Sequence, residues 1–300
     1  MNSAPTRCNS TNMSTPGRAE PTTPKAISPS HASAEGFILV GDSSRNTSPH
    51  SVVVFPGGDV NAPVTFPEYS GSQPFGVAIG PDGAAWVSNS GGLAGIYPSS
   101  VARFTFERGI LRRTVLRFVG RKSLKGLDVD SQGIAWVASL DDDAVFGIRP
   151  DGTVLGPFGG GGITGPWDVT VDGEDNLWVT NFGPTKVNNT LSEGRLSKLC
   201  GIRKEACPPG TKTGDPITPP SGYTMPSAGS QVLLHDGTPL YGKNAPPSFV
   251  PMMRQTASVI DRAGNIWTLN NWKPNFDVDA LINPGGDGIV IFLGLAPPAR

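Results

Sequence analysis

Short oxygen-bearing side chains recur at one spacing along this chain. Asp42, Asn89, Ser139, Asn181 and Asn270 each stand three residues after Leu39, Trp86, Trp136, Trp178 and Trp267 respectively. A second series, Gly76, Gly126, Asp168 and Ala257, stands ten residues before the four tryptophans. Gathered around one axis, these positions would form a ring of carboxylate and amide oxygens. Hard cations such as Ca2+ or Mg2+ take oxygen ligands of this kind. Asp168 is the only carboxylate of its series, so it leads the candidate metal set, with Asn181, Asn89, Asn270 and Asp42 as companions. Asn and Asp at strand ends also hydrogen-bond the following turn, and that structural reading stays open beside the first. Trp167 and Trp272 fall beside Asp168 and Asn270 and are the candidate ligand-binding aromatics; packing is the plainer alternative for both.

Other chemistries find less support. No G-x-S-x-G elbow is present, and no Ser, His and Asp set shares the recurring positions. The three histidines, His31, His50 and His235, all fall off the repeat. A general base must reach the proton it removes, and no residue here stands out for that task. The glycine-rich stretch from Gly156 opens a strand rather than a helix, so it reads as a connector and not as a phosphate loop.

The elements that would position these residues come from one repeated hairpin. GPWDVTVDGEDNLWVTNFG, from Gly165 to Gly183, reads as a strand, a GEDN turn and a second strand. Similar hairpins start at Pro74, Leu124 and Thr256. The aligned positions are spaced by roughly 40–50 residues, with a last step about twice as long, which is the period of one propeller blade. A hairpin that cannot bury both faces must stack on copies of itself. The expected fold is therefore all-β, a β-propeller of five to six four-stranded blades. The tryptophans at the shared position should fill the seams between blades.

Residues 36–296 are assigned to the propeller and 1–35, rich in Ser, Thr and Pro, to a disordered tail. The opening unit shows no inner strand before GFILVGD, so the ring is either incomplete at its N-terminal end or closed by the last unit unaided. Residues 201–254 stand where the outer strands of the fourth unit belong, and read as an insertion lying over one face.

Lys and Arg total 24 against 25 Asp and Glu. That balance gives no electrostatic case for nucleic acid or an anionic membrane. No apolar run is long enough to cross a bilayer. Cys200 and Cys207 bracket a short segment and suggest a disulfide loop, hence an oxidising compartment; two reduced thiols are the alternative.

The pattern G-(V/L)-x-(V/I)-D, then x-x-G-N, then (I/L)-W-V-x-N, carried at Gly76, Gly126, Asp168 and Ser258, resembles the NHL-repeat and streptogramin-lyase-like bacterial propellers. The closing NPGGDGIVIFLGLA from Asn283 is similar to the end of secreted members. The resemblance implies an extracellular or periplasmic protein and opens lyase or lactonase chemistry on a metal. Lyase members use histidine and glutamate as acid and base, and no histidine here occupies a matching position. The first expectation is thus a binding module, a monomer that holds a protein, peptide or small-molecule ligand with its channel face and insertion. The alternative is a metal-dependent hydrolase or lyase built on the Asp/Asn ring.

Overall fold

The computed structural model describes residues 26–27, 38–42, 51–55, 59, 61–67, 73–91, 98–107, 110–120, 123–183, 194–225, 235–238, 252, 254–270 and 288–299. These form five antiparallel sheets, and no α-helix occurs among them. The first sheet holds β1 (Ala26–Ile27), β2 (Ile38–Asp42), β3 (Ser51–Phe55) and β4 (Val64–Pro67). The second holds β5 (Gln73–Ile79), β6 (Ala85–Ser90), β7 (Ser100–Glu107) and β8 (Ile110–Phe118). The third holds β9 (Leu124–Val129), β10 (Ala135–Ser139), β11 (Ala144–Ile148) and β12 (Val154–Phe158). The fourth has three strands, β13 (Pro166–Val171), β14 (Leu177–Asn181) and β15 (Arg195–Leu199), and so has the fifth, β16 (Ala257–Ile260), β17 (Ile266–Asn270) and β18 (Gly288–Phe292). Neighbours in space are neighbours in sequence throughout, the up-and-down topology of propeller blades.

One local device shapes three of these sheets. Asp130 Oδ1 accepts the backbone N–H groups of Gln132 and Ile134, and its Oδ2 accepts Trp136 Nε1 at 2.8 Å. Asp172 does the same for Glu174, Asn176 and Trp178, and Asp261 for Ala263, Asn265 and Trp267. A single carboxylate therefore closes the turn between the first and second strands and anchors the indole of the second. In the second sheet Gly80 takes the aspartate's place, and the buried Trp86 Nε1 has no hydrogen-bond partner among the described residues.

The sheets stack face to face along four apolar seams. Trp86 packs with Leu124, Leu127, Val137 and Ile148 of the third sheet. Trp136 lies with Val169, Leu177, Val179 and Leu199 of the fourth, and Trp178 with Ile260, Ile266 and Val290 of the fifth. Val52 joins the first sheet to Val77, Val87 and Phe104 of the second. Truncating a tryptophan in such a seam costs about 3–5 kcal/mol.

Three features differ from the sequence expectation. Trp267 holds the shared position but is 39% exposed, and among the described residues no further seam covers it. Ala26–Ile27, inside the stretch read as a tail, pairs with Val40 and Gly41 and supplies an inner strand. The fourth sheet keeps its third strand at Arg195–Leu199, and bridges Leu196–Tyr223 and Leu199–Pro216 lay part of the 201–254 segment along its outer edge. The described part of that segment therefore covers an edge rather than a face. The glycine-rich connector is close-packed against it, since a Cβ on Gly161 would stand 2.7 Å from Pro216 Cβ. Cys200 and Cys207 are bonded, with their Cα atoms 5.7 Å apart.

Candidate functional site

The starts of the inner strands converge on one end of the stack. Phe75, Lys125 and Trp167 occupy the same place in β5, β9 and β13, one residue ahead of Gly76, Gly126 and Asp168. Lys125 Nζ sits 4.6 Å from the ring centre of Phe75 and 4.5 Å from that of Trp167. Phe75 meets Trp167 edge-on at 5.7 Å. Trp167 stacks on Phe182 with 4.5 Å between ring centres, and Arg254 Cζ lies 4.5 Å over the far ring. The result is a row of two cations and three aromatic rings drawn from three inner strands, the end of β14 and the segment before β16. Cations over ring faces are attracted by the quadrupole, more strongly where water is excluded.

Backbone geometry brings the row together. β5 and β13 both shift register near their starts, between Pro74 and Val77 and between Pro166 and Asp168. Such bulges re-aim the first side chains of a strand. Gly165 adopts φ +51°, donates to Asp143 Oδ1 and accepts the N–H of Phe182. A Cβ there would stand 2.1 Å from Gly183 O, so only glycine lets Phe182 close on Trp167.

Behind this row the inner strands are stitched to one another. Ser88 Oγ donates to Lys125 O and accepts from Gly76 N, joining β5 to β9. Asp128 Oδ2 accepts Val171 N at 2.8 Å, joining β9 to β13. Asp168 Oδ2 accepts Ser258 N at 3.1 Å, joining β13 to β16. Its carboxylate presses on the neighbouring strand so closely that a Cβ on Gly126 would fall 1.8 Å from Oδ1. Burial raises the pKa of Asp168, and the charge of Asp128 adds to the rise; the N–H groups of Ser258 and Val169 only partly counter it. The group is thereby pushed up to about 7. Burial also lowers the pKa of Arg254.

The residues singled out for metal binding have separate fates. Asp168 sits at the inner edge as described. Asn181 is fully buried within its own sheet: Oδ1 accepts Thr164 N, and Nδ2 lies within hydrogen-bond distance of Val179 O, Arg195 O and Ser197 Oγ. Asn89 is likewise buried and donates to Ser100 Oγ of the adjacent strand. Asp42 and Asn270 end their strands, but their side chains lie outside the described residues, as does all of Trp272. Among the described residues no three His, Cys, Asp or Glu side chains gather as metal ligands. Trp167 stands at the centre of the aromatic row. Phe75, Lys125, Phe182 and Arg254 escaped the sequence reading, although the first two share Trp167's place in the repeat.

No protein-family model matches the chain, and no curated protein sequence matches it. Solved structures do match. A catalytically inactive virginiamycin B lyase from Staphylococcus aureus with quinupristin aligns over 94% of this chain and 74% of its own, at 14% identity and a TM-score of 0.51. A protein of unknown function from Bacteroides caccae aligns over 89% and 77%, at 12% identity and 0.51. Hydrazine synthase from Kuenenia stuttgartiensis aligns over 85% and 57%, at 15% identity and 0.54. The chain is a β-propeller. At these identities the likeness is one of fold, and fold does not carry activity with it. The chain also spans only 59% of a streptogramin B lyase structure. In this propeller the aromatic row lies where inner strands begin and second strands end.

Proposed function

We propose that this propeller is a binding module whose ligand, a small molecule or peptide, rests on the face formed by Phe75, Lys125, Trp167, Phe182 and Arg254. The observation that supports it is the row itself: a half-buried lysine and tryptophan from adjacent blades, backed by a buried arginine. An aromatic platform with one cation set between two of its rings and another over its last ring suits a planar or anionic group. The near balance of charge argues against nucleic acid as the partner. The bonded Cys200–Cys207 pair supports an extracellular or periplasmic location, and among the described residues no helix is long and apolar enough to cross a membrane.

A second reading has one specific observation in its favour. Burial and the charge of Asp128 together raise the pKa of Asp168, which marks a site where positive charge would be stabilised. Asp168 and Asp128 would then hold a divalent cation for a metal-dependent hydrolase or lyase, and that cation would act as a Lewis acid. The bonds of Asn181 within its own sheet leave few further donors for it.

Quinupristin is the natural first probe, because a lyase of similar fold holds it. Isothermal titration with quinupristin and with short aromatic peptides, with and without calcium, separates the readings. Binding without turnover, lost in Trp167→Ala and Lys125→Ala at unchanged melting temperature, supports the module. Consumption of the probe that needs calcium and is lost in Asp168→Asn supports the enzyme. Associations that survive both face substitutions would remove this face from the argument.

A further inference from the structure

The fifth sheet has one buried face and one open face, and both are apolar. Its buried face puts Ile260, Ile266 and Val290 against the fourth sheet. Its open face carries Val259, Trp267 and Ile291 in one row and Leu269 and Ile289 in the next, matched by the strand register. Val259 and Ile289 are 56% and 57% exposed, and the other three are over a third exposed. A contiguous apolar face of this size is uncommon on a free surface and marks an interaction site.

Three internal seams show what this face is shaped to meet. In each, the tryptophan-bearing face of one sheet covers branched aliphatic residues of the next. Trp136 meets Val169, Leu177, Val179 and Leu199; Trp86 meets Leu124, Leu127, Val137 and Ile148. Trp267 is held ready for such a seam, because Asp261 anchors its indole as Asp130 and Asp172 anchor the buried ones. The complementary surface stands at the other end of the same chain. Val52 of β3 is fully buried against the second sheet, so its neighbours Val53 and Phe55 lie on the opposite face. Both are half-buried, and in register they pair with Val40 and Ile38.

We propose that the open face of the fifth sheet docks the back face of the first sheet of a second copy of this chain, head to tail. The contact continues the seam already repeated inside the molecule: Trp267 of one copy would cover Val53 and Phe55 of the other. Because the two surfaces differ, the contact is heterologous. It closes into a ring if the rotation permits and otherwise grows into an open chain.

Sedimentation velocity over a wide concentration range tests this with two charge substitutions. Wild type sediments as oligomers that dissociate on dilution. Ile289→Lys removes the open face and Val53→Lys the back face, and each alone is monomeric. An equimolar mixture forms dimers and nothing larger, because each variant still offers the surface the other lacks. Thermal melting confirms that the variants fold; should Val53→Lys lose its transition, Phe55→Lys replaces it. A wild-type chain that stays monomeric throughout, as the sequence expectation has it, overturns the proposal. Association that survives Val53→Lys or Phe55→Lys but not Ile289→Lys also overturns it, since it marks two like faces meeting. So does a dilute monomer in which Trp267, identified by difference from Trp267→Phe, is shielded from acrylamide, since the chain then covers its own face.

Discussion

At the scale of single residues, two aspartates do opposite things with burial. Asp172 is buried but fully partnered: two turn amides, the Trp178 indole, and Lys198 Nζ at 3.6 Å. Asp172→Ala leaves three donors without an acceptor in a closed seam. The expected loss is about 2–4 kcal/mol, read from urea unfolding followed by tryptophan emission. Asp172→Asn, which keeps one acceptor oxygen, should lose less. Asp168 is the reverse case, a carboxylate held where its charge is disfavoured. Its folded value of about 7 lies above the ordinary 3.8, so the folded state binds the proton more tightly. The resulting stability is fully present below the ordinary value and is lost as pH rises through about 7, by at most about 4 kcal/mol. Asp168→Asn holds the neutral form at every pH. The difference in unfolding free energy between wild type and this variant should therefore slope between pH 4 and 7 and level off above. A flat difference across that range would mean the carboxylate is ionised without cost. The tryptophan positions were legible because four indoles stand at one spacing. Asp172, six residues before Trp178, read only as the last residue of the first strand, and its bonds to the turn amides and the indole needed coordinates.

At the scale of elements, what the sequence disclosed tracks how much of each strand is dictated locally. The paired strands around Trp86, Trp136 and Trp178 announce themselves through Val, Ile and Trp beside Asp- and Gly-rich turns. Ala26–Ile27 does not: two residues among serines and prolines show no alternation, and only the free edge of β2 makes them a strand. The outer edge of the fourth sheet is also set by tertiary contact. Cys200 N donates to Asp215 O, Ile217 N to Lys198 O, and Leu196 exchanges backbone bonds with Tyr223, across a Pro-rich stretch that has no strand pattern. Tyr223 then stacks on Trp178 with 6.0 Å between ring centres. The disulfide fixes the first turn of this edge. With a sequence separation of 7 between its cysteines, reduction should cost about 2–3 kcal/mol on loop-entropy grounds. The check is hydrogen exchange with and without reductant: the amides of Ile217 and Tyr223 should lose protection while those of β9 and β10 keep theirs. Equal loss in both places would mean the edge and the third sheet open as one unit. The aromatic row escaped notice for a related reason. Phe75, Lys125 and Trp167 are three different residue types at one repeat position, so no composition signal links them until the strands are side by side.

At the scale of the whole molecule, a stack whose sheets touch mainly their sequence neighbours gains stability seam by seam. The third and fourth sheets each lie between two seams, with Trp136 fully buried between them. The fifth has one seam and an open apolar face. Unfolding should therefore begin at the C-terminal sheet. Amides of β16, β17 and β18 should exchange at lower free energy than those of β9, β10, β13 and β14, in a dilute sample measured by mass spectrometry. Concentration is the informative variable. If copies dock through the open face, a seam forms there and exchange of β16–β18 slows as concentration rises, while exchange in the third sheet does not change. Ile289→Lys should abolish that dependence without altering the dilute pattern, since Ile289 contributes nothing to an existing seam. Uniform protection across all five sheets in the dilute chain would mean that the fifth sheet is already enclosed, and that stability here belongs to a closed ring rather than to a sum of seams.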